Sequence, residues 1–193
     1  MLRDFNMIAT TDRINESGAC SELWMLLRAV GDDEPAVDRM GIWGLICART
    51  TKDPVEAITS IDALLRSRIK KASAILRLMP IQRTIPTELD KITNVALELS
   101  QIISSEDTFR ITVEKRRTSL GHMEIIDKIA EKLNQRVDLE NPSWVILVEI
   151  IGKITGVSVI RPARIINIQK LNYQLAVEAK KSATLNQNIG QGL

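Results

Sequence analysis

Residues 144–151 read WVILVEII, and the chain returns five residues later as VSVI. An almost continuously apolar run of this length, rich in β-branched residues, is a strand covered on both faces. The intervening GKITG supplies the turn to a partner strand at 157–160, and Asn141-Pro142 makes a corner ahead of it. A buried hairpin near the C-terminal end therefore fixes the architecture: the rest of the chain must provide cover for it.

The preceding segments fit mixed strands and helices. Residues 6–10 predict a strand and 21–30 a helix, with Leu23, Leu26, Leu27 and Val30 on one face. Residues 44–50 (GLICART) predict a buried strand. The next helix carries its own start signal, with Asp53 as N-cap, Pro54 at the first position, Glu56 at the capping-box position and Ile58, Ile61, Leu65 and Ile69 inward. Arg66, Arg68, Lys70 and Lys71 at its end suit the negative pole of the helix dipole or an RNA patch. Residues 74–85 are extended and bent at Pro80, because proline donates no ladder hydrogen bond. Pro86 and Thr87 open another helix, whose Leu89, Ile92, Ala96, Leu99 and Ile103 form one face. Residues 109–115 (FRITVEK) alternate as a half-exposed strand. Thr118 or Ser119 then caps a helix reaching about Asn134. Residues 168–181 form a last helix, and the polar 182–193 form a disordered tail. The class is α+β, in two small domains with a seam near residues 80–87.

Several functions lack their residues. No apolar run is long enough to span a bilayer and no signal-peptide segment opens the chain, which gives a cytoplasmic protein without membrane attachment as the expectation. Neither a Gly-rich dinucleotide turn nor a P-loop occurs, so no cofactor is expected. His122 is the single histidine and Cys20 and Cys47 the two cysteines, which leaves no metal cage and no disulfide framework. The net charge of +2 is too small to mark a nucleic-acid binder by itself, and 3% aromatics disfavour a platform that works mainly by base stacking.

Charge distribution is more informative. Lys115, Arg116 and Arg117 precede Thr118 and Ser119 at the expected helix start, where free N–H groups and the helix dipole favour an anion and arginine grips phosphate. The same segment also fits an ordinary exposed basic loop. His122 lies one turn in. Arg110 on the polar strand face, Lys153 in the hairpin turn, and Arg161 and Arg164 after the last strand extend the patch if the three strands are neighbours. Glu114 and Glu149 on that face favour a defined track over a uniform positive surface.

The run FRITVEKRRTSLGHMEIIDKIAEKL followed by VDLENPSWVILVEIIGKITGVSVI, with RLMPIQRTIPTELDKI before it, resembles a THUMP domain, the RNA-binding module of several tRNA-modifying enzymes. The order of the KRR strand end, the EII helix, VDL, the Asn-Pro corner and VEIIG is similar to stand-alone THUMP proteins related to the adaptor of tRNA cytidine acetyltransferase. The resemblance covers residues 75–166 and implies a ferredoxin-like domain at 1–83, a THUMP domain at 84–167, and a helix and flexible tail at 168–193. It further implies a non-catalytic protein that binds tRNA, at the acceptor stem and 3′ end, for a modification enzyme such as an acetyltransferase. Lys115, Arg116, Arg117 and Ser119 map to the basic segment of the family, and Asn141 and Pro142 to its corner. Many members place an acid after the corner, where this chain has Ser143. Two other readings stay open: an unrecognised tRNA-modifying enzyme using His122, and a structural or protein-interaction module docking through its C-terminal helix.

Overall fold

The computed structural model describes residues 2–67 and 72–190. The chain runs β1 (Met7–Thr11), α1 (Glu16–Ala29), β2 (Ala36–Arg39), β3 (Leu45–Arg49), α2 (Pro54–Arg66) and β4 (Ile75–Pro80). It continues through β5 (Arg83–Pro86), α3 (Leu89–Leu99), β6 (Thr108–Arg116), α4 (His122–Ala130), β7 (Arg136–Val137), β8 (Trp144–Ile151), β9 (Ile154–Ile160), β10 (Ile166–Asn167) and α5 (Ile168–Gly190). Arg68, Ile69, Lys70 and Lys71, read above as the end of a helix, lie outside the described residues, as do 191–193.

Two five-stranded sheets result. The first has the order β10-β4-β1-β3-β2 with every pair antiparallel; the second has the order β5-β9-β8-β6-β7. In the second, β8 pairs parallel to β6 and antiparallel to β9. Pro80 closes β4, and the chain crosses from one sheet to the other at Ile81–Gln82. Buried Asn6 holds that crossing, its carbonyl accepting from the Ile81 N–H at 2.9 Å.

The layers follow from strand parity. In β8, Ile146, Val148 and Ile150 turn toward α3 and α4, where Ile92, Ala96, Ile125 and Ile129 meet them. The alternate residues Val145, Leu147 and Ile151 face the first sheet and share a core with Ile8, Leu45, Cys47 and Met79. Helices α1 and α2 cover the outer side of the first sheet through Leu23, Leu27, Ile58 and Ile61. The hairpin at 144–160 is thus covered on both faces, as its apolar run requires. Asp53 caps α2 as expected, accepting from the N–H groups of Val55 and Glu56 at 2.9 and 3.0 Å.

Other boundaries move. Pro86 ends β5, where the missing N–H falls at a strand terminus, and α3 begins only at Leu89. Helix α4 starts at His122 behind Gly121, not at Thr118 or Ser119, and ends at Ala130. The reason is local: Arg117 takes a left-handed backbone at φ 56°, and the Thr118 hydroxyl accepts from the Leu120 N–H at 3.3 Å, which makes a turn where a cap was expected. Helix α5 extends to Gly190, well into the segment read as a disordered tail. It does not stand apart, because β10 pairs with β4 and Ile168 and Leu171 enter the core beneath the first sheet.

Candidate nucleic-acid interface

The parallel pairing of β6 and β8 sets Arg116 opposite Ile151, so the end of β6 and the β8–β9 turn form one edge. The Gly152 N–H donates to the Arg116 carbonyl at 2.8 Å, and Gly152 itself takes φ 62°, a turn that glycine enters without steric cost. The Thr87 N–H donates to the Lys153 carbonyl at 3.0 Å, which pins the turn from the other side. The result is a rigid ledge presenting Arg117, Ser119 and Lys153, all exposed.

Two grooves flank the ledge. One, of about 520 Å³, lies between Pro86, Thr87 and the 117–120 loop. The other, of about 690 Å³, lies between the two sheets, with Arg3, Arg117 and Lys153 around a floor that includes Met40, Ile42 and Ile154. Among the described residues, no carboxylate lies within ion-pair distance of Arg3, Arg117 or Lys153. Uncompensated cations at a concave edge attract an anion.

The remaining members of the predicted patch are placed differently. Arg116 is not free: its guanidinium donates to Glu149 Oε2 at 2.9 Å, and Glu149 is only 1% exposed on the inter-sheet face. Burial pushes the Glu149 carboxyl up to about 6, and the opposing pull of Arg116 does not cancel it. Lys115 donates to the Leu120 carbonyl at 2.7 Å. The N-terminus of α4 is already served by a carboxylate, since the Gly121 N–H donates to Glu124 Oε2 at 3.1 Å. The expected combination of helix start and arginine cluster is therefore replaced by the ledge, with His122 exposed beside it at the first position of α4.

Arg110, Asn141 and Arg161 lie at the other end of the second sheet, about 20 Å away at the usual rise per residue. They form a separate cluster. Arg110 donates to the Leu139 carbonyl at 2.9 Å, and the Asn141 N–H is held by Asp138 Oδ1 at 2.8 Å. Arg161 stacks over the Trp144 ring at 3.9 Å and pairs with Asp107 at 3.5 Å. The Trp144 indole N–H donates to Asp107 at 2.9 Å, the main influence holding that carboxyl below its ordinary range. Asp107 is thus an acid near the corner, supplied from the start of β6 across from Ser143, whose N–H donates to the Thr108 hydroxyl at 3.0 Å.

Arg3 carries no signal in the sequence. Nothing in MLRDF marks it, because only the folding of the N-terminal segment across the sheet interface brings it to the groove. Glu149 does carry one, as the single carboxylate in an otherwise apolar strand. Among the described residues, no three His, Cys, Asp or Glu side chains are grouped to hold a metal ion, and no helix is long and apolar enough to cross a membrane.

Comparison with known proteins places this geometry. Residues 86–160 match the THUMP domain family model. THUMP domain-containing protein 1 of Mus musculus is 29% identical over 141 residues, and that of Homo sapiens 30% over 142, each alignment covering 68% of this chain and 40% of the relative. The chain thus spans well under half the length of these relatives. The crystal structure of PH1313 from Pyrococcus horikoshii superposes with a TM-score of 0.60 at 20% identity, covering 81% of this chain and 54% of that one, a likeness of fold. The strand that ends at the ledge, the helix after it and the buried hairpin all fall inside the matched segment, and residues 86–160 are accordingly assigned to the THUMP domain.

Proposed function

We propose that this chain is a non-catalytic tRNA-binding protein that presents its RNA to a modification enzyme. The observation that carries the reading is the ledge inside the THUMP segment, where Arg117 and Lys153 stand without carboxylate partners beside two grooves. Folded RNA in A-form geometry is gripped through phosphates and 2′-hydroxyls, so a few well-placed cations suffice despite the net charge of +2. The target is the acceptor stem and 3′ end, and the enzyme partner a tRNA cytidine acetyltransferase or similar activity, in keeping with the stand-alone THUMP proteins the sequence resembles. The βαββαβ order of the first sheet supports a ferredoxin-like N-terminal unit, and a cytoplasmic location suits this role.

The test is tRNA binding by wild type and by the Arg117→Ala/Lys153→Ala variant at two salt concentrations. The variant is expected to bind more weakly, and the slope of log K against log salt to shrink by about 1.5, at roughly 0.7 to 0.9 for each phosphate no longer neutralised. Arg116→Ala is the control, because its effect is on packing against Glu149. Salt-insensitive binding, or a double variant that binds like wild type, overturns the proposal.

A further inference from the structure

We infer that the β2 edge of the first sheet is a self-association surface, where β2 of one chain pairs antiparallel with β2 of a second copy and the two α1 helices pack beside the seam. The inference rests on residues 16–39, outside the THUMP segment, and does not draw on the RNA-binding reading.

The backbone selects the register. Strand β2 is the last in the order of its sheet and pairs with β3. The Met40 N–H donates inward to the Leu45 carbonyl at 3.1 Å, so alternation turns the N–H and C=O groups of Val37 and Arg39 outward. Most of that edge is blunted. The Arg39 N–H donates to the Asp38 carboxylate at 2.8 Å, and Pro35 has no N–H to give. Val37 keeps both groups of one ladder pair. An extended peptide laid along β2 would gain only the two hydrogen bonds of that pair. A second copy gains the same two, Val37 to Val37 about a two-fold axis, and brings its own α1 with it.

The side chains suit that symmetry. Helix α1 packs over β2 and β3. At the usual strand spacing the two α1 axes would then lie roughly 10 Å apart on one face of the joined sheet, a separation at which helices pack. Trp24 and Met25 of α1 are 46% and 53% exposed, and with Val37 they line a shallow concavity of about 310 Å³ along this edge. Across the seam each concavity meets the Trp24 and Met25 of the other copy. Charge follows the same symmetry. Glu34 precedes β2 and Arg39 ends it, both exposed, and among the described residues neither lies within ion-pair distance of an opposite charge. With Val37 opposite Val37, Arg39 falls opposite Pro35 of the second copy, next to its Glu34. Antiparallel pairing therefore joins acid to base twice, whereas parallel pairing would set like charges together.

The experiment measures the mass of the full chain by sedimentation equilibrium over a wide range of concentration. Wild type is expected to pass from monomer to dimer as concentration rises. Trp24→Ala should weaken the dimer about tenfold or more, and Arg39→Glu about tenfold. Both positions are exposed, and circular dichroism should find both variants folded. Glu34→Arg/Arg39→Glu should restore the dimer, and Glu34→Arg mixed with Arg39→Glu should form a heterodimer at concentrations where neither associates alone. A wild-type chain that stays monomeric throughout overturns the inference and leaves the edge to a segment of another protein. A dimer that survives Trp24→Ala and both single charge reversals uses a different surface and overturns it as well.

Discussion

Replacing Glu149 with glutamine isolates the cost of a buried carboxylate. In the fold its carboxyl titrates at about 6 against an ordinary 4.5, chiefly because it lies on the inter-sheet face away from water. Burial disfavours the charged form, so between pH 4.5 and 6 the folded chain holds a proton that the unfolded chain has released. Stability attributable to this group is therefore greatest below pH 4.5 and falls as pH rises to about 6. A shift of this size corresponds to about 2 kcal/mol, or about 4–8 °C in melting temperature for a chain of this length. Glu149→Gln keeps the shape and removes the titration. Other carboxylates, including Asp32 and Asp107, which are held below their ordinary range, titrate alike in both proteins and cancel in the difference. Urea unfolding of both chains from about pH 4 to pH 7.5 should show wild type losing about 2 kcal/mol relative to the variant. The pull of Arg116 on the ionised carboxylate is already contained in the position of about 6, so it is part of the difference the comparison reads. A flat difference, or one in which wild type gains as pH rises, would show that Arg116 fully compensates the burial and would refute the reasoning.

Gly156→Ala should destabilise by about 1–3 kcal/mol, since a Cβ there would approach Ile81 to 2.9 Å at the crossing between the sheets; adding Ile81→Val should recover part of the loss in chemical unfolding. Asp53→Ala removes the two N-cap hydrogen bonds of α2 and should cost about 1 kcal/mol by thermal melting, with Asp53→Asn close to wild type. Burial pushes the Cys47 thiol up to about 12, and Cys20 is raised by burial as well, so a maleimide at neutral pH should leave Cys47 unlabelled in the folded chain and modify it only under denaturant, as read by mass spectrometry.

The sequence was most legible where a local rule and the tertiary demand coincided. The Asp53-Pro54 start of α2 and the run at 144–151 each state one requirement, a cap or cover on both faces, and the fold meets both. It was less legible where the signal was weak or shared. Strand β2 reads AVDR, short and half polar because it is an edge, so it shows no period. Ser119 looks like an N-cap, yet the left-handed Arg117 moves the helix start to His122. The candidate site was half visible: the basic run and the hairpin turn could be named, but Arg116 goes to Glu149, and Arg110 and Arg161 go to the far end of the sheet. Their destinations depend on register between distant strands, which residue spacing does not encode.

Strand β10 bears on how the protein is made. It completes the first sheet by lining up against β4 after the whole second sheet has been built, and α5 follows it into the same core. During synthesis, then, β1 to β4 leave the ribosome before the second sheet, and their sheet lacks its β10 edge until residues 166–167 have followed. A truncation at either end of the THUMP segment would strip that edge from its sheet, and a nascent chain would hold its N-terminal half unfinished while the THUMP half is already free to fold.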